Sequence, residues 1–452
     1  MSLLVTRMRT TRFFRARWLA SICLLLAGCV RPTPAPYEIP PAHRITTQPS
    51  AAAPFWWGIS TSSYQIEEPP PARAFSTDWD LFCRQNKKIP ARDDRIASLS
   101  RFERDIAALK SLGVTHYRFS IEWARVEPAR GKFDEAALAQ YTTLAKRLAE
   151  EKITPIVCLW HFTFPDWLTN FDSPDKHGWL HPEAREAWKQ YVTRVSRAIC
   201  PYVRYFAPQN EPNSYAAAIS LGLFPPGRKL GEAYYHKTTR IEIEMFRLAA
   251  ETIRQNCSQA QILSVQSVIH WQRDPFDLLG LWYGMGQKFD NAHLDGIADT
   301  IDMVGFNYYQ SELASPMALA LQSKRKGDDV SDLGWIIDPA GLEREIVRLS
   351  QRYHKPLVIL ENGVADAGDT KRHLYLLRHL LAVRRTRDAG YDVRGYFHWS
   401  LMDNYEWMHG YGPKFGLFAV DEKTKELIPK QSAMLYKFLI QQGYMDPVGT
   451  TR

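Results

Sequence analysis

Phe55-Trp56-Trp57-Gly58-Ile59-Ser60-Thr61-Ser62-Ser63-Tyr64-Gln65 is the stretch on which the fold turns. Its first half is apolar and aromatic, the composition of a buried strand. A doubly wound open sheet would follow that first strand with a Gly-rich turn for a nucleotide. Here the turn is Thr61-Ser62-Ser63, which cannot serve that purpose. Seven more runs of similar character follow, at 116–123, 154–160, 204–211, 261–268, 302–309, 356–363 and 392–401. Amphipathic stretches of helix length lie among them, at roughly 96–112, 134–151, 183–199, 233–256, 339–354, 369–389 and 430–442. In the first of these, Ile106, Leu109 and Leu112 fall at helical spacing and Gly113 ends the helix. Eight strand–helix units in about 400 residues predict one α/β domain over 55–452, a single (β/α)8 barrel.

Composition sets the outer bounds. With 45% hydrophobic and 23% charged residues, the 452-residue chain is no disordered segment. Six Cys are too few for a disulfide scaffold, and no apolar runs suit a multi-pass membrane protein. The formal charge of +8 suggests nucleic acid until its location is read. Residues 1–28 contain Arg7, Arg9, Arg12, Arg15 and Arg17 and no acid, and without those five the charge is +3. No basic stripe remains, so nucleic acid is not an expected partner.

The same 28 residues read as an export signal. The arginines precede the apolar run Trp18-Leu19-Ala20-Ser21-Ile22-Cys23-Leu24-Leu25-Leu26 and the small pair Ala27-Gly28. The tetrad ending at Cys29 resembles the bacterial lipoprotein signal, in which that Cys is lipidated; a plain secretory signal is the alternative. Residues 29–54 then form a linker with Pro32, Pro34, Pro36, Pro40, Pro41, Pro49 and Pro54, an extended tether. The expectation is a lipoprotein, exported and attached to a membrane through its lipid anchor alone. Cys158 falls in an apolar strand and reads as a buried thiol. Cys200 and Cys257 each end a helical pattern just before a strand, so an exported enzyme could bridge them.

Barrel chemistry collects at the C-terminal ends of the strands. Those ends carry Gln65; Arg118 and Trp123; Trp160-His161-Phe162; Gln209-Asn210-Glu211-Pro212; Asn307-Tyr308-Tyr309; Leu360-Glu361-Asn362-Gly363; and His398-Trp399-Ser400, with Glu406-Trp407 in the last loop. Either Glu211 or Glu361 alone would read as a salt-bridged loop residue. Together they put two carboxyl groups at one opening, among amide, imidazole and indole donors that match sugar hydroxyls. Two carboxyl groups flanking a glycosidic bond are the machinery of glycoside hydrolysis.

At these residues the chain resembles family 1 of the glycoside hydrolases, retaining β-glycosidase barrels of the β-glucosidase type. The resemblance rests on Trp57-Gly58, Ser62-Ser63-Tyr64-Gln65-Ile66-Glu67, Tyr117-Arg118-Phe119-Ser120-Ile121-Glu122-Trp123 and Asn210-Glu211-Pro212. It continues in Gly305-Phe306-Asn307-Tyr308-Tyr309, Glu361-Asn362-Gly363 and Trp399-Ser400-Leu401-Met402-Asp403-Asn404-Tyr405-Glu406-Trp407. It implies Glu211 as acid/base and Glu361 as nucleophile, with Arg118, Asn307 and Tyr309 supporting the nucleophile. It also implies that Gln65, His161, Asn210, Trp399, Glu406 and Trp407 grip the sugar, and that no metal or cofactor is needed. Arg118 and Tyr309 are expected to lower the pKa of Glu361, and the charge of Glu361 to raise that of Glu211. The two carboxyl groups are expected about 5–5.5 Å apart. Glu406 would repel a sugar 6-phosphate, so unphosphorylated β-glycosides are the expected substrates. Tyr308 and His398 read as packing residues. The chain departs from the family pattern at Phe162, where Trp is common, and at Pro208 and Leu360, where Thr is often found. After Glu67 it runs Glu68-Pro69-Pro70-Pro71 in place of the usual Gly.

Two other functions fit the same residues. One is transfer of the sugar to a lipid or other acceptor, favoured if an apolar groove lies beyond Trp160 and Phe164. The other is a surface carbohydrate-binding protein with a dead site, disfavoured because both Glu are present.

Overall fold

In the computed structural model, which describes residues 38–42, 54–69 and 75–446, strand and helix alternate from Trp56 onward. The leader 1–28, Cys29 and most of the linker lie outside the described residues. The strands are β1 (Trp56–Ser60), β2 (His116–Ser120), β3 (Thr154–Cys158), β4 (Tyr205–Ala207), β5 (Gln261–Ile262), β6 (Gln266–Gln272), β7 (Val304–Leu313), β8 (Leu357–Asn362) and β9 (Val393–Trp399). They pair in the order β5-β4-β3-β2-β1-β9-β8-β7-β6, every neighbour parallel.

The two ends of that order are consecutive in the chain, separated only by Leu263-Ser264-Val265. Leu263 N–H donates to Phe206 O at 2.9 Å on one side, and Ser264 N–H to Met303 O at 3.3 Å on the other. The nine segments are therefore eight staves of one ring, the fifth in two pieces, as in a (β/α)8 barrel.

Alternate residues of the staves fill the interior. Ile156 and Cys158 of β3, Val358 and Leu360 of β8, and Ala207, Leu263, Val265, Met303 and Phe397 form one buried cluster. Period-two burial is what a strand gives, and the flat Phe397 ring demands a missing side chain opposite. A Cβ on Gly58 would stand 2.2 Å from that ring, so only Gly fits there.

All seven expected helices are present: Phe102–Leu112, Glu135–Glu150, Ala184–Ile199, Glu232–Asn256, Pro339–Tyr353, Arg372–Asp388 and Gln431–Gln441. Their ends have local causes. Asp134 accepts the N–H groups of Ala136 and Ala137, and Gly113 leaves the first helix with φ 79°. One outer helix, Leu281–Ile297, has no counterpart in the sequence pattern. Gly284, Gly286 and Gly296 lower its propensity, yet Gly286 is required because a Cβ there would meet the Trp271 ring at 2.5 Å. A short antiparallel hairpin, Phe418–Val420 with Leu427–Pro429, is also additional. Cys200 and Cys257 form a disulfide that ties the end of the 184–199 helix to the approach of β5, while Cys158 is a buried free thiol.

Candidate active site

The segments at the C-terminal ends of β1, β3, β4, β7, β8 and β9 converge on one cavity of about 210 Å³. Glu211 and Glu361 both line it. Glu361 reaches the cavity through an irregularity. Leu360 points into the barrel core, and strict alternation would turn Glu361 outward. The register of β8 shifts against β9 between Ile359 and Asn362, and against β7 between Phe306 and Asn307. Such a bulge re-aims a side chain, and here it swings the carboxylate over the mouth.

Glu361 is gripped from two sides. The Arg118 guanidinium, fully buried on β2, donates through Nη1 to Glu361 Oε1. Tyr309 Oη donates to Glu361 Oε2 at 2.6 Å. Glu211 has no such cation in contact; Asn307 Nδ2 donates to its Oε1 at 2.7 Å. The same amide also acts to lower the Glu361 pKa, so Asn307 influences both carboxyl groups.

The two acids differ electrostatically. Burial, then the charge of Glu361, pushes Glu211 up to about 7. Burial also raises Glu361, against the pull of Arg118, Tyr309 and Asn307. The sequence-based expectation that its pKa falls is corrected by this: desolvation of the carboxylate is the larger effect. The guanidinium in contact still makes Glu361 the member of the pair that holds the negative charge. For Glu211 the expected rise is present and the Glu361 charge contributes to it, with burial the larger cause.

Glu211 is positioned by strained backbone. It has φ 39° and ψ 53°, its N–H donates to Val265 O at 2.8 Å, and Pro212 opens the helix Pro212–Leu221 behind it. Phe162 (φ 71°) and Trp407 (φ 49°) at the same cavity are also left-handed. Three such residues around one pocket show where the fold spends stability on shape.

The remaining expected residues also meet here. Asn210 Oδ1 accepts from Arg118 Nη2 at 2.6 Å, so its amide nitrogen is the donor to His161 Nε2 at 3.1 Å. His161 is therefore neutral with its proton on Nδ1, a buried donor with no protein acceptor. Burial and Arg118 hold its pKa well below the usual range, which agrees. Gln65 is locked by Ser62, Asn404 and the Tyr405 carbonyl. Trp399 Nε1 donates to Glu406 Oε1 at 3.4 Å, and burial pushes Glu406 up to about 8. Trp407 lies nearly parallel to His161, with 6.2 Å between ring centroids.

Tyr308 and His398 turn away into packing, onto Asp338 O and Phe415 O. Trp160 and Phe164 are buried in an aromatic cluster and line no groove. Five wall residues were not found from the sequence: Ser214, which acts to lower the Glu211 pKa, and the apolar Ala218, Phe224, Trp335 and Phe415. They come from helices and loops with no repeating pattern; only the density of aromatic residues hinted at them. Among the described residues, no group of three or more His, Cys, Asp or Glu side chains is placed to hold a metal.

Comparison with known proteins agrees with this geometry. The family model described as glycosyl hydrolase family 1 matches residues 48–277 and 270–444. The bifunctional β-D-glucosidase/β-D-fucosidase of Bifidobacterium breve is 31% identical, over 85% of this chain and 97% of its own. The β-glucosidase A of Acetivibrio thermocellus is 29% identical, over 86% and 98%. Among solved structures, the AHE enzyme from Alicyclobacillus herbarius superposes with a TM-score of 0.78 at 25% identity, covering 90% of this chain and 100% of that one. The family 1 β-glucosidase from Thermotoga maritima gives 0.76 at 24% identity, over 86% and 98%, and shares the fold. With the family model spanning nearly all of the barrel and two carboxyl groups facing one cavity, the chain belongs to glycosyl hydrolase family 1 and is a glycoside hydrolase.

Proposed function

We propose that the protein is a retaining β-glycosidase that removes terminal non-reducing β-linked sugars, without a 6-phosphate, by double displacement. The observation that carries this reading is the unequal support of two buried carboxyl groups at one cavity. Glu361 has a cation and a phenol; Glu211 has an amide and a pKa near 7. In the first step a Glu361 oxygen attacks the anomeric carbon as the glycosidic C–O bond breaks, and Glu211 gives its proton to the departing oxygen. Glycosylation removes the charge of Glu361, which lowers the proton affinity of Glu211. Glu211 then takes a proton from water as that water attacks the anomeric carbon and Glu361 leaves. His161 Nδ1–H, Gln65, Asn210, Glu406, Trp399 and Trp407 hold the sugar. Trp160 and Phe164 are themselves buried, so they offer no wall to an acceptor, and hydrolysis is the reading kept.

The same proposal includes export and lipidation at Cys29. Its support is the leader's charge and apolar pattern, together with the Cys200–Cys257 bridge, which suits an oxidising compartment. Incorporation of labelled fatty acid into the wild type and not into Cys29→Ser tests that part. The catalytic part is tested with aryl β-glycosides on wild type, Glu361→Ala and Glu211→Ala. Glu361→Ala is expected to abolish turnover. Glu211→Ala is expected to regain it partly with azide or with activated leaving groups. Near-normal turnover by Glu361→Ala would overturn the assignment.

A further inference from the structure

The loops around the cavity carry an apolar surface that the pocket does not use. Phe276 and Leu278 are 91% exposed and Leu279 is 83% exposed, and Leu281, Trp282 and Met285 continue the exposed run. Single apolar side chains on a surface are ordinary; a contiguous run of this kind marks a binding surface. The segment is an ordered turn. Asp274 Oδ1 accepts Phe276 N–H at 2.9 Å, and the two carboxylate oxygens of Asp277 accept Leu281 and Tyr283 N–H at 2.8 and 2.9 Å. Two aspartates thus satisfy the backbone while three large side chains project into solvent.

The position of this surface matters as much as its composition. The segment follows β6, so it stands at the catalytic end of the barrel. The helix it opens, Leu281–Ile297, packs on Pro212–Leu221, the helix that begins directly after Glu211, with Asn213 Nδ2 donating to Phe289 O at 3.3 Å. The far end of that helix adds Leu221 and Leu223, about half exposed, directly before Phe224 of the cavity wall. On the other flank Ala314 N–H donates to Gln272 O at 2.9 Å and brings in the exposed Met317. The exposed 276–285 run therefore stands at the catalytic end of the barrel, and the helix it opens packs on the helix that follows Glu211. Exposed Arg273, Lys288 and Lys324 lie in the same segments.

We propose that this surface docks into the apolar layer of a phospholipid bilayer, and that the substrates are β-glycosides whose aglycone is a long-chain lipid presented there. This rests on the glycosidase reading and specifies its leaving group. Protruding side chains suit insertion among lipid tails better than the cradling of a single small ligand, and the neighbouring cations suit phosphate headgroups. The bond broken and the proton transfers are those already given.

The test uses the full chain and the triple variant Phe276→Ser/Leu278→Ser/Leu279→Ser. Each is assayed with an aryl β-glucoside in buffer, with a dialkylglycerol β-glucoside in phosphatidylcholine/phosphatidylglycerol vesicles, and with dodecyl β-glucoside micelles. The expected result is unchanged aryl turnover and a loss of about tenfold or more on the vesicles; a loss confined to the micelles overturns the bilayer as the docking partner. In parallel, bromolipid quenching of Trp fluorescence is expected to diminish in Trp282→Phe. Equal lipid-glycoside turnover by both proteins overturns the proposal, as does quenching unchanged by Trp282→Phe. A native dimer that becomes monomeric in the triple variant with lipid turnover intact makes the surface a contact between copies, and overturns it too. Failure on all three substrates by the native chain sinks the glycosidase reading instead; turnover of the aryl glucoside alone sinks only this one.

Discussion

Replacing Tyr309 by Phe isolates one contact of the site. The hydroxyl donates to Glu361 Oε2 at 2.6 Å, while the ring packs against Trp335 and Phe415 with centroids 5.6 and 6.0 Å away. The substitution keeps the ring and removes only the donor. A hydrogen bond to a charged acceptor contributes about 1.5–3 kcal/mol, and one pKa unit corresponds to about 1.4 kcal/mol. The bond favours the ionised form, so its loss raises the Glu361 pKa further. The proposed nucleophile must be ionised. The acid limb of kcat/KM should therefore move to higher pH, and activity at acidic pH should fall about tenfold or more. The assay is a pH profile of kcat/KM on an aryl β-glucoside, with Tm recorded to show that packing is retained. An acid limb that stays in place, with Tm unchanged, would refute the claim that Tyr309 stabilises the carboxylate of the nucleophile.

Other outcomes follow from the same structure. The alkaline limb of kcat/KM should fall through a pKa near 7, because Glu211 must be protonated to act first; Glu211→Gln should remove that limb when activated aryl leaving groups are used. Cys200→Ser should lower stability by about 4 kcal/mol at most, since the bridge closes a 57-residue separation, and the drop in Tm should be matched by reducing the wild type. Gly58→Ala should destabilise by about 1–3 kcal/mol, read by urea unfolding, because its Cβ would overlap the Phe397 ring. His161→Phe should weaken sugar binding by about 1 kcal/mol or more in kcat/KM, having removed the unpartnered Nδ1–H donor.

Much of the barrel was legible in the sequence because its staves are buried on both faces and read as apolar runs between amphipathic helices. The break in the fifth stave was not legible: Leu263 and Val265 are as apolar as strand residues, and only the folded chain separates β5 from β6 at this point. The Leu281–Ile297 helix was hidden by three glycines, two of which have a tertiary reason: the Trp271 ring against Gly286 and the Ile243 side chain against Gly296. At the site, the two acids and their polar partners were readable because each ends a strand. The direction of the Glu361 pKa was not, since residue types reveal the cation and the phenol while the depth of burial exists only in the folded chain. Phe224, Trp335 and Phe415 were missed for a similar reason: each comes from a segment without periodicity and acquires its role only by where the loop lands.

Glu211, the proposed acid/base, hangs from the seam of the ring. Its N–H bonds to Val265 O, inside the three-residue gap between β5 and β6. That oxygen comes to hand only when the fifth stave lies beside the fourth. The carboxyl group is thereby tied to the pairing of two neighbouring staves, and turnover itself becomes a reporter that this pairing is in place.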